Sequence, residues 1–286
     1  MSNIGIIGYG IVGKAVDYGF RETNPKKDNK VLIYDKYKPE VSTSLEKAIK
    51  NSEFNFVCLP TPMNDYGIDL KIMNDNMKVI TRAIKGTDNI VIIKSSVVPG
   101  TTQRYAEIYK NVKFAFNPEF LTEANYLEDF INPDRIIIGS NNDRTRLRVT
   151  DLYRDRFPTQ TIMQTDTTTA EMVKYMANCY LATKVIFANE MCELCDKMKI
   201  KYEDVKKMVA GKTGDRRILD SHLDITTEKG FGGKCFPKDI VALIGLYHQQ
   251  GLNPSLLKAV WEKNLKIRKN RDWEEIPFVT NNDKKD

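Results

Sequence analysis

Short runs rich in Val, Ile and Phe alternate with helix-like stretches from the start of the chain to about residue 139. Most of these runs are apolar throughout, which is typical of parallel strands buried on both faces of a sheet. We therefore predict a doubly wound α/β domain, a parallel sheet with helices on both sides. Its predicted strands are Asn3–Ile7, Val31–Tyr34, Asn55–Leu59, Asn89–Ile93, Lys113–Phe116 and Arg135–Ile138.

A helix over Arg144–Arg156 and a strand over Thr161–Gln164 are predicted to close this domain. After Asp166 the pattern is only helical, and Thr168 and Glu171 have the spacing of a capping box. Helices are predicted from Thr168 to about Met198 and over Tyr202–Ala210, Lys238–Gln250 and Ser255–Lys269. The predicted fold class is an N-terminal Rossmann-type doubly wound parallel sheet (1–165), then an all-α domain with a long central helix (166–272), then a polar tail that frays (273–286).

Composition and charge narrow the class of protein. The formal net charge of +6 comes from 44 Lys and Arg scattered among 38 acidic residues, so we expect a solvated surface that suits an anionic substrate and no nucleic-acid partner. No segment reaches the roughly 18 apolar residues of a membrane span, and no charged leader precedes the first strand. Five cysteines, an odd number, do not predict a disulfide framework. We expect a cytoplasmic protein with reduced thiols and no membrane contact.

A glycine pattern follows the first predicted strand and opens a helix. In that context three glycines permit a tight turn, the approach of a pyrophosphate and close helix–sheet packing, with the phosphates at the helix N-terminus. Asp35 ends the second predicted strand, where a carboxylate accepts hydrogen bonds from ribose hydroxyls and repels a 2′-phosphate. NAD is therefore predicted over NADP, although Lys36 stands beside Asp35 and a turn without a ligand is the alternative. The pattern is Gly8-Tyr9-Gly10-Ile11-Val12-Gly13.

Five later segments decide the chemistry, and they stand in order along the chain. They are Phe56-Val-Cys-Leu-Pro-Thr-Pro62, Lys94-Ser-Ser-Val-Val-Pro-Gly-Thr-Thr102, Asn117-Pro-Glu-Phe-Leu-Thr-Glu123, Lys174-x-x-x-Asn178 and Gly230-Phe-Gly-Gly-Lys-Cys-Phe-Pro-Lys-Asp239. Together they resemble the signature blocks of the UDP-glucose/GDP-mannose dehydrogenase family, from Met1 to about Lys269. The last block is the most specific of the five.

The resemblance implies a four-electron oxidation of an alcohol to an acid, with NAD as cofactor and a thioester on Cys235. It implies that Lys174 stabilises an oxyanion and that Asn178 and a water help to position it. It implies that Asp239 assists proton transfer and that Glu119 activates water for thioester hydrolysis. Taken alone, the Lys174 and Asn178 spacing would more often mark a solvated helix face, and a lone glutamate a surface or capping group.

The same blocks imply further contacts. Ser96 stands where the family commonly has threonine, and it keeps the hydroxyl that can orient water or substrate. We expect no metal. Cofactor contacts are expected from Gly8, Gly10, Ile11, Val12, Gly13, Asp35, Lys36, Pro60, Thr61, Ser96, Glu123 and Lys238. Substrate contacts are expected from Glu119, Phe120, Leu121, Lys174, Asn178, Arg217, Phe231, Gly232 and Gly233.

The cysteines divide into one nucleophile and four packing residues. Lys234 and Lys238 flank Cys235, and cationic neighbours favour the thiolate that attacks a carbonyl. Lys234 replaces the usual serine of the family, so it could activate the thiol further or contact a phosphate. The remaining thiols are interpreted as packing groups, although a C-x-x-C pair can also indicate redox chemistry or zinc. These are Cys58, Cys179, Cys192 and Cys195.

Three functional interpretations stay open. Family members usually continue into a second α/β domain that holds the nucleotide, and no second βαβ series follows Asp239. The chain could be an active dehydrogenase for a nucleotide sugar, with UDP-glucose preferred, assisted by a homodimer partner through the long helix or by a separate UDP-binding domain in trans. It could instead act on another nucleotide sugar or a small hydroxy compound. It could also be a non-catalytic NAD-binding subunit.

Overall fold

The computed structural model describes residues 2–24, 29–64 and 67–281. The chain forms two compact units, the first comprising residues 1–61 and 69–174 and the second residues 62–68 and 175–286. The boundary falls within one long helix and not at residue 165, where the sequence pattern changes. A segment of only seven residues, 62–68, leaves the first unit and returns to it.

The strands are β1 (Asn3–Ile7), β2 (Lys30–Tyr34), β3 (Phe54–Val57), β4 (Met63–Asn64), β5 (Gly67–Ile68), β6 (Ile90–Ile93), β7 (Lys113–Phe116), β8 (Ile136–Gly139) and β9 (Ile162–Thr165). The α-helices are α1 (Ile11–Asp17), α2 (Leu45–Lys50), α3 (Lys71–Ile84), α4 (Thr101–Ile108), α5 (Tyr126–Ile131), α6 (Asp143–Arg156), α7 (Thr167–Met198), α8 (Tyr202–Val209), α9 (Phe236–Gln249) and α10 (Ser255–Ile267). A π-helical turn, Tyr18–Glu22, follows α1, and 3₁₀ turns occur at Gly211–Thr213 and Asp272–Glu274.

The first unit is built on a seven-stranded sheet in the order β2-β1-β3-β6-β7-β8-β9. All neighbours are parallel except β7 and β8, which pair in antiparallel fashion through Phe116 and Gly139. The Rossmann-type prediction is therefore confirmed, but the prediction that the strand near Arg135–Ile138 runs parallel to its predecessor is wrong. An apolar run looks the same in either direction, so its pattern does not report strand polarity.

The strands of the sheet other than β9 supply apolar side chains to two separate cores. Ile4 and Ile6 of β1 belong to one core, whereas Ile7 belongs to the other. In the same way Ile92 of β6 belongs to the first core and Ile93 to the second. Successive side chains of a strand point to opposite faces, so a sheet covered on both sides requires apolar residues at every position.

The second unit contains the rest of α7, the helices α8 to α10 and the small hairpin of β4 and β5. The end of the chain joins this hairpin: the Met63 N–H donates to the Val279 carbonyl at 2.8 Å, and the Asn281 N–H donates to the Met63 carbonyl at 3.1 Å. Trp273 is 1% exposed and packs in a cluster with Met63 and Val279. The predicted fraying tail is thus folded as far as Asn281, and residues 282–286 lie outside the described part.

The start of α7 differs from the predicted capping box. Asp166 caps this helix, because its carboxylate accepts the Thr169 N–H at 2.8 Å and the Thr169 hydroxyl at 2.6 Å. Glu171 instead accepts hydrogen bonds from the start of α4, at Gly100 and Thr102. A carboxylate at a capping-box position therefore binds another helix's N-terminus, where unpaired amide groups also favour negative charge.

Within the ranges that the structure describes, no helix combines the length and the apolar character required to cross a membrane.

Candidate active site

The three glycines of the first turn differ in what a side chain at each position would meet. Gly8 has a φ of +93°, which favours glycine, and a Cβ there would lie 2.5 Å from the Cys58 carbonyl oxygen. A Cβ on Gly13 would lie 2.1 Å from the Gly8 carbonyl oxygen, so this glycine lets α1 pack on the turn. A Cβ on Gly10 would meet no atom within 4 Å. The turn therefore leaves open space at Gly10, directly before the amides of Ile11 and Val12, where a pyrophosphate fits.

Asp35 lies against this turn. One of its carboxylate oxygens accepts the Tyr9 N–H at 2.7 Å, and the other accepts the Tyr37 N–H at 2.8 Å. Lys36, expected beside the cofactor, places its ammonium group 5.5 Å from the Tyr37 ring. The lysine that reaches the turn is Lys38, whose ammonium group donates to the Tyr9 carbonyl at 2.6 Å. Sequence spacing missed Lys38 because it comes after the strand, in a turn that folds back.

The loops after β3 and β6 meet at the same edge of the sheet, since these strands are parallel. Pro60 and Thr61 follow β3, and the Thr61 hydroxyl donates to the Ser96 carbonyl at 2.8 Å. The neighbouring Ser95 hydroxyl donates to the Leu59 carbonyl at 2.7 Å. The predicted residues Thr61 and Ser96 are thus brought together, and Ser95, which sequence reasoning did not select, also joins the two loops.

Glu119 and Lys174 form a buried ion pair in the first unit. The Lys174 ammonium group lies 2.7 Å from a Glu119 carboxylate oxygen and also donates to the Glu119 carbonyl at 2.8 Å. Burial alone would raise the pKa of Glu119, but the Lys174 ammonium group, a hydrogen bond from the Leu121 N–H and Lys94 hold it below its ordinary value. The ring of Phe120 lies under the Lys174 ammonium group, at 5.8 Å. Glu119 is therefore an ionised carboxylate in a buried place.

A second buried lysine stands nearby. Lys94 donates to the Asn117 side-chain oxygen at 2.6 Å, and the Tyr153 hydroxyl donates to the same oxygen at 2.5 Å. Burial lowers the pKa of Lys94 to about 8. These three side chains and Glu119 line a cavity of about 190 Å³. A polar cavity of this kind can hold ordered water beside the Glu119 carboxylate.

In the second unit, the residues predicted around Cys235 form a cluster at the start of α9. Cys235 is the N-cap residue of this helix, and the Asp239 N–H donates to its carbonyl at 2.9 Å. Asp239 is fully buried; its carboxylate accepts the Asn178 amide at 2.6 Å and the Lys238 ammonium group at 2.9 Å. A half-buried thiol thus stands one helical turn before a buried carboxylate with two polar partners.

The other predicted residues take diverse positions. Arg217 is exposed and pairs with Asp215 in its own turn, and Glu123 is exposed. Phe231 is 4% exposed and stacks on Trp261, with 6.2 Å between ring centroids. Gly232 and Gly233 are half-buried. None of these geometries shows a substrate contact, so the substrate roles of these residues stay predictions.

None of the five cysteines, all of which lie in the described part of the chain, forms a disulfide bond. Burial raises the pKa of Cys58 to about 12 and that of Cys179 further still. Both thiols are therefore held in the neutral form, as expected for packing groups. Cys192 and Cys195 lie within α7, and the described residues contain no group of three or more Cys, His, Asp or Glu side chains placed to hold a metal ion.

The fold and the glycine turn define a dinucleotide-binding domain, and comparison with known proteins specifies which one. Residues 30–156 match the NAD binding domain of the UDP-glucose/GDP-mannose dehydrogenase family, and residues 168–266 match the central domain of that family. The chain belongs to the UDP-glucose/GDP-mannose dehydrogenase family. Its cofactor is accordingly NAD, in agreement with the prediction from Asp35.

Individual relatives agree with this assignment. The chain is 37% identical to the UDP-glucose 6-dehydrogenase of Rickettsia conorii, over 76% of this chain and 50% of that protein. The structure of a UDP-glucose dehydrogenase from Pyrobaculum islandicum superposes with a TM-score of 0.79 at 30% identity, covering 93% of this chain and 68% of that one. A Mycobacterium tuberculosis 3-hydroxyisobutyrate dehydrogenase, 13% identical, has a TM-score of 0.74 over 93% of both chains and shares the fold alone. The chain spans about half the length of the curated relatives it matches.

Proposed function

We propose that the chain is an NAD-dependent dehydrogenase that oxidises the primary alcohol of a nucleotide sugar, UDP-glucose first, to a carboxylate in two steps. The observation that carries the proposal is Cys235 at the start of α9, one turn before the buried Asp239 with its partners Asn178 and Lys238. A two-electron alcohol dehydrogenase needs no thiol at this place. A four-electron oxidation does, because the aldehyde must be captured and oxidised again.

The first step removes a hydride and a proton from the alcohol. When bound, NAD would supply the hydride acceptor of each oxidation, one NAD per hydride, with NADH exchanged for a second NAD between the two. The Gly8 turn, the Asp35 carboxylate and the loops of Thr61 and Ser96 are proposed to hold the cofactor. Lys174 is proposed to stabilise the negative charge on the reacting oxygen, an electrostatic role that burial strengthens. Asn178 is proposed to orient a water beside it, and Asp239 to accept protons.

In the second step the Cys235 thiolate adds to the aldehyde carbon and forms a thiohemiacetal. Loss of a second hydride gives a thioester. Water then adds to the thioester carbon, the C–S bond breaks, and the acid leaves while Cys235 regains its thiolate. Glu119 is proposed to take the proton of that water. Two features support this: the Lys174 ammonium group holds the pKa of Glu119 below its ordinary value, and Glu119 lines the polar cavity beside Lys94.

The partners are also proposals. A homodimer is supported by an apolar stripe on α7, formed by exposed residues at helical spacing: Met176, Tyr180, Phe187, Leu194 and Met198. A UDP-binding domain encoded separately would act in trans, as the resemblance suggests. We also propose a cytoplasmic location, which the five free thiols support.

The test is NADH formation by the purified chain with NAD and a panel of UDP- and GDP-sugars. We expect two NADH per sugar from the wild type and a loss of about 10³-fold or more in Cys235→Ser. Cys192→Ser is the matched control, because it removes another half-buried thiol, one that lies within α7. One NADH per substrate with an active Cys235→Ser would support the small hydroxy compound alternative. NAD binding without turnover on any sugar would support the non-catalytic subunit.

A further inference from the structure

Side chains that follow α9 hold the loop before Cys235. Asn264 of α10, fully buried, accepts the Phe231 N–H at 2.8 Å and donates to the Phe231 carbonyl at 3.0 Å. Arg268 donates to the Lys229 carbonyl at 3.1 Å. Asp272 accepts the Gly233 N–H, with 3.2 Å to each carboxylate oxygen. These three side chains thus bind the loop backbone at Lys229, Phe231 and Gly233.

Two of these side chains, Arg268 and Asp272, have further contacts. Arg268 and Asp272 form an ion pair at 3.3 Å, and Asp272 also accepts the N–H of Trp273 at 3.1 Å. The Trp273 side chain is 1% exposed. The main chain at Asp272 is therefore anchored by the buried tryptophan that directly follows it.

Two glycines of the segment from Gly230 to Asp239 make room for these side chains. A Cβ on Gly230 would lie 2.3 Å from the Asn264 side-chain oxygen. A Cβ on Gly232 would lie 2.3 Å from an Asp272 oxygen and 2.5 Å from an Arg268 nitrogen. In this chain the glycines therefore face a protein contact, and the Phe231 and Gly233 amides are already bound.

We propose that Asn264 and Asp272 are positioning residues that set the conformation of the loop before Cys235 and so place its thiol at the start of α9. The catalytic consequence rests on the proposed function, whereas the placement of the thiol does not. Gly233 stands two residues before Cys235, so a displacement of its amide passes directly to the thiol. A nucleophile must be held within about 0.5 Å of its productive position, and misplacement by about 1 Å lowers rates by about a hundredfold.

The first measurement is the rate of Cys235 alkylation by iodoacetamide at pH 7 in the native chain, followed by peptide mass spectrometry with added N-acetylcysteine as internal reference. A helix N-terminus favours the reactive thiolate, so we expect Asp272→Ala to react about two- to fivefold more slowly. Asp272→Asn keeps an oxygen that accepts the Gly233 N–H and should restore the wild-type rate. An unchanged or faster rate in Asp272→Ala, in a variant with native circular dichroism, overturns the proposal.

The control and a second variant separate placement from stability. Lys263 lies on α10, the helix of Asn264, and pairs with Glu193 of α7. Lys263→Gln removes this ion pair, and we expect it to leave the alkylation rate unchanged. Asn264→Leu should slow alkylation as Asp272→Ala does, because it frees the Phe231 backbone. If all variants shift the rate in proportion to their melting temperature, the role is only structural and the proposal fails.

The second measurement is steady-state turnover. We expect Asp272→Ala to lower kcat by about tenfold or more while the KM for NAD stays unchanged, and Asp272→Asn to recover kcat. If no sugar yields NADH in any variant, the proposed function fails, and the alkylation rates still decide the placement of the thiol. If NADH forms and kcat does not respond to Asp272→Ala, the positioning role is overturned and the proposed function stands.

Discussion

Glu171 is the buried acid that joins α7 to α4. Its carboxylate accepts the Gly100 N–H at 2.6 Å, the Thr102 N–H at 2.8 Å and the Thr102 hydroxyl at 2.6 Å. Burial raises its pKa to about 7, although these hydrogen bonds favour the charged form. Glu171 stands three residues before Lys174 on α7, so it connects the helix of Lys174 with the end of the loop that begins at Lys94.

This raised pKa gives a pH prediction at the residue scale. Between pH 4.5, the ordinary value, and about 7 the folded chain binds a proton at Glu171 that the unfolded chain does not bind. The free energy of unfolding therefore falls as pH rises through this window, by up to about 3 kcal/mol. Glu171→Gln has no carboxyl group that titrates at this position, so it does not lose stability in this way. The free energy of unfolding of Glu171→Gln minus that of the wild type should therefore rise between pH 4.5 and pH 7.

Urea unfolding at several pH values in this window checks the prediction. Gln103→Asn is the control, since Gln103 is exposed on α4 and carries no titratable group, so its replacement should give a difference that does not vary with pH. A difference between Glu171→Gln and wild type that stays constant across the window would contradict the assignment.

At the scale of an element, α7 exposes a row of large apolar side chains. Met176, Tyr180, Phe187, Leu194 and Met198 are each between 54% and 70% exposed. Intervals of four and seven residues place them on one face of a straight helix. A contiguous apolar face on a helix of 32 residues is expected to be covered, and a second copy of the same helix matches its length.

We therefore expect Phe187→Glu to convert a dimer to a monomer, because it would place a charge in the centre of an apolar interface. Light scattering coupled to gel filtration measures this directly. Asp196→Lys is the matched control: Asp196 is exposed on the opposite face of α7, and its charge reversal should leave the dimer intact. A monomeric wild type at micromolar concentration would refute the interface.

At the scale of the whole molecule, the second unit is assembled from segments far apart in the chain. Residues 62–68 come from between two elements of the first unit, and the segment after α10 pairs with them at Met63. Trp273 fills the cluster formed there with Met63 and Val279. Asp272, which accepts a hydrogen bond from the loop before Cys235, lies in the same segment. The stability of the Trp273 cluster and the placement of the Cys235 thiol are therefore linked.

Trp273→Ala should destabilise the second unit by about 3–5 kcal/mol, the range for removing a buried aromatic side chain. Trp261 remains as a fluorescent probe, so urea unfolding can be followed in the variant. Leu252→Ala, which truncates a side chain that is 57% exposed, should change stability by less than about 0.5 kcal/mol. If Trp273→Ala lowered the free energy of unfolding as little as Leu252→Ala does, the segment after α10 would be only loosely attached.

The sequence by itself determined the elements whose signal is local. Strands such as Ile90–Ile93 are apolar at every position because both faces of the sheet are covered. The glycines of the first turn are required by a positive φ and by close packing of the backbone. The family blocks also selected residues that the structure brings together: Glu119 with Lys174, and Asn178 with Asp239. The fold predictions succeeded because residue type and spacing along one element carry the information, whereas the roles of the residues in the family blocks stay predictions.

Only the tertiary structure decided which distant residues meet. Glu171 has the spacing of a capping box yet binds α4, Lys38 reaches the glycine turn although no pattern selected it, and Trp273 packs where a polar tail was predicted. The contacts of Asn264 and Asp272 with the Cys235 loop were likewise invisible in the pattern. A hydrogen bond between residues this far apart in the sequence depends on how the chain folds back, and neither periodicity nor local propensity reports that.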